Sequence, residues 1–254
     1  MLLCADVGNT NIVLACYDGE ELVFTSRLKT DATLTRDQYA VELHSLLELY
    51  DIEPKEFEGA IVGSVVPRLT QNLSHAIQMA LGCRCFSLAA GVRTGLNIAI
   101  DNPAECGADL VAAAVGAKHN YPLPAIIVDM GTASKITALD RNGNFIGGAI
   151  MPGMRTSMNA LVSSASLLTD FELGAPKSAI GRNTPDCMRS GAVLGFASMI
   201  DGMVARFREE LGQDATVVAT GGLVQYVLSS CRTEMIYRED LVTEGLRVIY
   251  NKNV

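Results

Sequence analysis

The sequence predicts an α/β protein in which one unit occurs twice. Three observations carry that reading. Asp6-Val7-Gly8-Asn9-Thr10, followed by apolar Ile12-Val13-Leu14-Ala15 and a turn at Asp18-Gly19, is matched by Asp129-Met130-Gly131-Thr132-Ala133, followed by Ile136-Thr137-Ala138-Leu139 and a turn at Asn142-Gly143. The two acids stand 123 positions apart, close to half of the 254 residues. Each copy alternates Gly turns with short apolar runs, as hairpins do, and stretches of helical period follow. The length, at about 150 residues per domain, suits two similar lobes or one large domain. No Pro-rich, Gly/Ser-rich or charged linker divides the chain, so the repeat sets the expected boundary, giving lobes 1–118 and 119–254.

Each element has a local cause. A strand ending at Asp6 or Asp129 turns on glycine into a second apolar strand, and Glu21 to Arg27 or Phe145 to Ile150 adds a third. Arg36 to Tyr50 puts Ala40, Leu43, Leu47 and Tyr50 on one helical face, and Leu69, Leu73, Ile77 and Leu81 form a second stripe. Gly59 to Val66 and Ala125 to Asp129 are apolar runs of buried-strand length. Further helices are expected over Glu105–His119, Met154–Leu168, Met188–Leu211 and Asp240–Asn251.

Composition excludes several function classes. Hydrophobic residues make up 49% and charged residues 19%, which supplies a core and argues against disorder. The net charge of −8 disfavours nucleic-acid and anionic-membrane partners, which require a basic excess. Met1 to Asp6 has no basic leader, and the longest stretch free of Asp, Glu, Lys and Arg, Ala215 to Cys231, is broken by Gly221-Gly222, so neither a secretory signal nor a bilayer span is expected. Seven scattered cysteines suit a reducing cytoplasm, and Cys83-Arg84-Cys85 lacks the second pair a zinc site needs.

Three segments carry nucleotide-binding chemistry. At Asp6 to Asn11, Gly8 lets the chain turn so that backbone N–H groups point at an oxyanion, Asn9, Thr10 and Asn11 add side-chain donors, and Asp6 can hold a hydrated divalent cation. Asp129, Gly131 and Thr132 repeat the device, and two such hairpins facing across a cleft can grip a nucleotide's phosphates from both sides. Thr220-Gly221-Gly222, between a strand and an expected helix, allows a flat base or ribose close to the backbone. Asn102-Pro103 precedes a helix that would place Glu105 and Asp109 on one face, where an acid either favours the helix dipole or accepts a hydroxyl proton during phosphoryl transfer. Gly147 to Gly153 either wraps a ligand or turns the chain. Thr184, followed by Pro185, reads locally as an N-cap.

Taken in order and spacing, Asp6 to Asn11, Asn102-Pro103-x-Glu105-x-Gly107-Ala108-Asp109, Asp129-x-Gly131-Thr132-Ala133, Gly147-Gly148-x-Ile150-x-Pro152-Gly153, Gly181-x-Asn183-Thr184 and Thr220-Gly221-Gly222 resemble type III pantothenate kinases over essentially the whole chain. The resemblance implies two ribonuclease H-like lobes of the duplicated actin-like ATPase fold with a nucleotide cleft between them, a homodimer, and ATP-dependent phosphorylation of pantothenate in coenzyme A synthesis. It makes Asp109 the general base and Asp6 a helper for water-bound magnesium. ATP would meet Asp6, Val7, Gly8, Asn9, Thr10, Asn11, Ile12, Val13, Gly131, Thr132, Gly221 and Gly222. Pantothenate would meet Ile100, Gly107, Ala108, Asp109, Leu110 and Thr184, the last reaching across the dimer interface. Asp129 would hold a monovalent cation, potassium or ammonium.

Three positions depart from the pattern. Leu110 stands where an Arg partner for the substrate carboxylate is usual, Ile100 where a Tyr is usual, and Lys135 replaces a small polar residue. Losing a charge-assisted hydrogen bond to the carboxylate costs on the order of 1.5–3 kcal/mol. The departures leave two alternatives beside the pantothenate kinase: a nucleotide-binding regulatory homologue with little turnover, or a kinase of the same fold acting on another small alcohol.

Overall fold

In the computed structural model, which describes residues 1–165, 167, 168 and 171–254, the chain packs into two compact units, each built on one mixed sheet. The first comprises Met1–Leu96, Asp101–Asn120 and Asp240–Val254; the second comprises Asn97–Ile100 and Tyr121–Glu239. Set beside the contiguous halves 1–118 and 119–254, two segments change sides: a strand pairing draws Asn97–Ile100 into the second unit, and an apolar C-terminal helix returns to the first.

In the first unit β1 (Leu2–Val7), β2 (Asn11–Asp18) and β3 (Glu21–Lys29) form an antiparallel meander. β4 (Gly59–Ser64) and β5 (Cys85–Ser87) extend it in parallel from β1, giving the order β3-β2-β1-β4-β5. Parallel neighbours need crossovers, and α1 (Arg36–Leu49) and α2 (Pro67–Leu81) supply them. A capping box between Thr35 and Gln38 starts α1. Leu43 and Leu47 of α1 and Leu69, Leu73 and Ile77 of α2 pack on Leu3, Ala5 and Val7, the alternate residues of β1. Against the other face lie α3 (Ala108–Asn120), buried continuously from Val111 to Ala117, and α6 (Leu241–Asn251).

The second unit repeats the plan. β7 (Ala125–Met130), β8 (Ala133–Leu139) and β9 (Asn144–Pro152) form the meander, β10 (Thr216–Thr220) and β11 (Ile236–Tyr237) extend it in parallel, and β6 (Asn97–Ile98) pairs with the free side of β9. Ile126, Val128, Met130 and Ile136 face Val193, Ala197, Ile200 and Val204 of α5 (Thr184–Leu211). α4 (Met154–Ser164) ends before the expected Leu168, and position 166 of that stretch lies outside the described residues.

The expected helices differ in several places. The helix expected from Glu105 starts at Ala108, because Pro103–Glu105 forms a separate 3-10 turn and Cys106 is extended. α5 starts at Thr184 rather than Met188, and its N-cap is Asn183, whose side chain accepts the Asp186 N–H at 2.9 Å; Thr184 is already helical. No α-helix follows Gly221-Gly222. Two 3-10 turns stand there instead, with Val224 and Val227 buried at the three-residue spacing such turns present.

Candidate active site

The first glycine turn is held from behind. The Gly8 N–H donates to the Asn11 carbonyl at 3.0 Å. Thr30, just past β3, donates its hydroxyl to the Gly8 carbonyl at 2.7 Å and its N–H to the Thr10 carbonyl at 3.0 Å. With those carbonyls tied down, the Asn9, Thr10 and Asn11 side chains stay exposed. Val7 and Ile12 are 0% exposed, so they can reach a ligand only through the backbone, whereas Asp6 and Val13 are half-buried. Nothing in Lys29-Thr30-Asp31 marks Thr30 in the sequence; only the strand register brings it there. Thr30→Val keeps the shape and removes the hydroxyl, at a cost of about 1 kcal/mol. A melting curve should show that loss as a drop of roughly 2–4 °C.

Asp109 stands in the first turn of α3, in the same unit. The Val65 N–H donates to the Val7 carbonyl at 3.0 Å, and a Cβ on Gly107 would lie 3.6 Å from Val65 Cγ1, so the approach to α3 lies beside the end of β1. The Gly107 carbonyl accepts the Val111 N–H at 3.0 Å, and Asp109 Oδ1 accepts the Leu110 N–H at 2.8 Å. Gly107, Ala108, Asp109 and Leu110 are all half-buried. Burial pushes the Cys106 thiol up, and the Asp109 charge pushes it further, so a neutral thiol borders the carboxylate. Glu105 does not share a helical face with Asp109. It sits exposed on the 3-10 turn, accepting from Asn102 Nδ2 at 2.8 Å.

The second glycine turn belongs to the other unit. The Gly131 N–H donates to the Ala133 carbonyl at 3.1 Å, and the Thr132 carbonyl accepts from the Gly153 N–H at 3.2 Å and the Thr156 hydroxyl at 2.9 Å. Gly147 to Gly153 is therefore mainly strand β9 and its exit, bracing the Thr132 turn; Thr156 is a brace the sequence reading did not include. Gly221 has φ +93°, and a Cβ there would fall 2.5 Å from the Met130 carbonyl oxygen, so glycine lets the turn after β10 lie on the end of β7. Leu223 N–H completes that contact to Met130 O at 3.2 Å. Gly222 follows with open space at its Cβ position.

Asp129 and Lys135 are direct cross-strand partners on β7 and β8. Lys135 Nζ lies 2.7 Å from Asp129 Oδ2, and each side chain is 16% exposed. Ile100 lies near Gly147, whose Cβ position is 3.7 Å from Ile100 Cγ2. Thr184 is exposed in the first turn of α5, where it lines an open groove of about 570 Å³ with Arg182, Asn183, Met158 and Leu161.

All seven cysteines are free, and burial pushes Cys83 up and Cys85 up to about 12, so both stay protonated. Among the described residues no helix is long and apolar enough to cross a membrane.

Against known proteins, a family model described as type III pantothenate kinase matches residues 2–206. The chain is 40% identical over 253 residues to the type III pantothenate kinase of Exiguobacterium sibiricum, covering 100% of both sequences. It is 40% identical over 255 residues to that of Moorella thermoacetica, again covering 100% of both. Among solved structures it resembles a putative Baf family transcriptional activator from Campylobacter jejuni, with TM-score 0.63 and 18% identity over 99% of this chain and 98% of that one. It also resembles component A of the (R)-2-hydroxyglutaryl-CoA dehydratase of Acidaminococcus fermentans, with TM-score 0.59 and 17% identity over 98% and 96%. At such identities the structural likeness is one of fold, the actin-like ATPase fold with its two mixed sheets.

Proposed function

Because this chain belongs to the type III pantothenate kinase family, we propose that Asp109 is its general base and that the Gly8–Asn11 and Gly131–Thr132 turns hold the phosphates of ATP. The protein is a phosphotransferase that phosphorylates pantothenate in coenzyme A biosynthesis. As the substrate oxygen attacks the γ-phosphorus, its proton passes to the Asp109 carboxylate. The bond to the β,γ-bridging oxygen breaks and ADP leaves. The observation that carries this reading is the anchored carboxylate of Asp109 in the first turn of α3, with Oδ1 fixed by the Leu110 N–H. Asn9, Thr10, Asn11 and the turn amides offer donors to the phosphates, and the Gly221-Gly222 turn gives the nucleoside a flat backbone to approach. Gly107, Ala108, Leu110, Ile100 and Thr184 contact pantothenate.

Magnesium fits Asp6, a half-buried carboxylate at a strand end beside exposed amide and hydroxyl groups, which would hold the hydrated ion through water. When bound, it would neutralise phosphate charge. The monovalent cation implied at Asp129 does not fit, because the Lys135 ammonium already lies 2.7 Å from that carboxylate. None of the steps above uses it.

We also read the protein as a cytoplasmic homodimer whose duplicated hairpin unit falls once within 1–118 and once within 119–254. The apolar groove beside Thr184 and the 82% exposure of Ile180 favour a covered surface there. Sedimentation velocity checks this, and a monomer at micromolar concentration would remove Thr184 from any shared pocket. A coupled ATP-consumption assay with pantothenate, pantetheine and several sugars tests the activity. Turnover of pantothenate excludes a non-catalytic regulatory homologue, which Leu110 and Ile100 would suit. In the same assay Leu110→Arg should lower the KM for pantothenate by about ten- to a hundred-fold by restoring a bidentate carboxylate partner. Its kcat should change less, since a carboxylate remote from the reacting hydroxyl is gripped alike in ground and transition states.

A further inference from the structure

We propose that the Lys135 ammonium is a tethered replacement for the monovalent cation, so that this enzyme turns over without potassium or ammonium. The proposal rests on the kinase reading above and concerns how its second phosphate turn obtains positive charge.

The geometry makes the pair a built feature. Asp129 and Lys135 face each other across β7 and β8, in register and on the same side of the sheet. Their neighbours Val128, Met130 and Ile136 point the other way, into the apolar core. The hairpin turn beyond them is Gly131-Thr132, so the ammonium lies at the base of the phosphate-holding turn. At 2.7 Å and 16% exposure on both sides, the pair is largely withdrawn from solvent, where water and salt screen it less than they would a surface pair. A potassium ion entering beside Asp129 would have to share one carboxylate with a fixed charge of its own sign. The chemistry of the site is preserved, since a primary ammonium carries one positive charge and three donors.

The other copy of the repeat supplies an internal comparison. Its corresponding acid, Asp6, lies across the strand from Val13 instead of a cation. Its turn is also one residue longer: Val7 pairs with Ile12, whereas Met130 pairs with Ser134. The shorter connection sets Lys135 opposite Asp129. A diffusing ion must be bound from solution, so its occupancy follows its concentration. A tethered one is always present, and its occupancy cannot vary with the salt.

The test uses the full-length wild type in potassium, ammonium, sodium and choline chlorides at constant ionic strength, reading both turnover and calorimetric affinity for a nonhydrolysable ATP analogue. Wild type should vary by no more than about twofold among the four salts, because only general screening remains and that is held fixed. Lys135→Ala should lose about ten- to a hundred-fold in turnover and analogue affinity in choline, and recover most of both in potassium or ammonium. Lys135→Arg keeps a fixed cation and should remain independent of the salt. Strong activation of the wild type by potassium would overturn the proposal, and so would an unimpaired Lys135→Ala in choline. A folded Lys135→Ala that neither ion rescues would make the pair structural. If Lys135→Ala does not fold, as its melting curve would reveal, the salt profiles of wild type and Lys135→Arg decide the matter. A wild type that binds the analogue equally in all four salts yet phosphorylates no pantothenate would count against the kinase reading while supporting the tethered cation.

Discussion

Asp109→Asn is expected to lower kcat by about 10²–10⁴-fold, the usual contribution of a positioned general base. Affinity for a nonhydrolysable ATP analogue should stay within about threefold of wild type, a change well under 1 kcal/mol. The amide matches the carboxylate in shape, and its oxygen can still accept the Leu110 N–H that fixes Oδ1 at 2.8 Å. What it cannot do is take the hydroxyl proton. The competing role for an acid in the first turn of α3 is to favour the helix dipole, which contributes about 0.3–1 kcal/mol at such a position. That role predicts a slightly lower melting temperature and near-normal turnover. Measuring both separates the two: a full-rate mutant that melts a little earlier would assign Asp109 to the dipole. Asp109→Glu adds a further check. Its carboxylate is displaced by one methylene, and misplacement of about 1 Å costs on the order of a hundred-fold in rate.

Much of this arrangement can be read from local sequence. The strands at Leu2–Val7 and Ala125–Met130, their glycine turns and the meander that follows each declare themselves as apolar runs bounded by turn residues and by the 123-residue repeat. The stripe Leu69, Leu73, Ile77, Leu81 is buried as its helical spacing requires. Long-range pairing is another matter. Asn97–Ile98 has no period to show that it joins β9, and the return of Leu241–Asn251 to the first sheet depends on packing against residues far away in sequence. The same limit explains Thr30, whose use as a clamp follows from the register of β2 on β3. Helix starts differ from the expected ones where turn chemistry competes with periodicity. Asn102 and Asn183 each cap locally, but the first cap opens only a 3-10 turn and the second opens a 28-residue helix. Lys135 was visible as a departure from the family pattern, yet only the register shows that it meets Asp129.

The second large effect is expected at Gly245, where Ala should destabilise the protein although helix propensity alone favours it. In an open helix, Gly→Ala gains up to about 1 kcal/mol. Gly245, however, is where α6 lies backbone to backbone on α3. A Cβ there would collide with the Ala112 carbonyl oxygen and fall 2.6 Å from its carbon, while Gly116 of α3 presses in turn on the Leu241 carbonyl. Neither obstacle can move by changing a rotamer, so the helices must separate. Overpacking against side chains costs about 1–3 kcal/mol; against backbone the penalty lies at or above the top of that range and outweighs the propensity gain. The expected net loss is about 2–3 kcal/mol, a drop of roughly 4–12 °C in melting temperature for a chain of this size. Gly202 in α5 provides the opposite case, being exposed with no atom within 4 Å of its Cβ position. Gly202→Ala should therefore stabilise, and paired melting curves should move in opposite directions. Two stabilised mutants would mean that the α3–α6 contact yields easily. Because α3 carries Asp109 in its first turn, a forced separation at Ala112 should also reduce kcat, linking the buried crossing of two small residues to the position of the proposed general base.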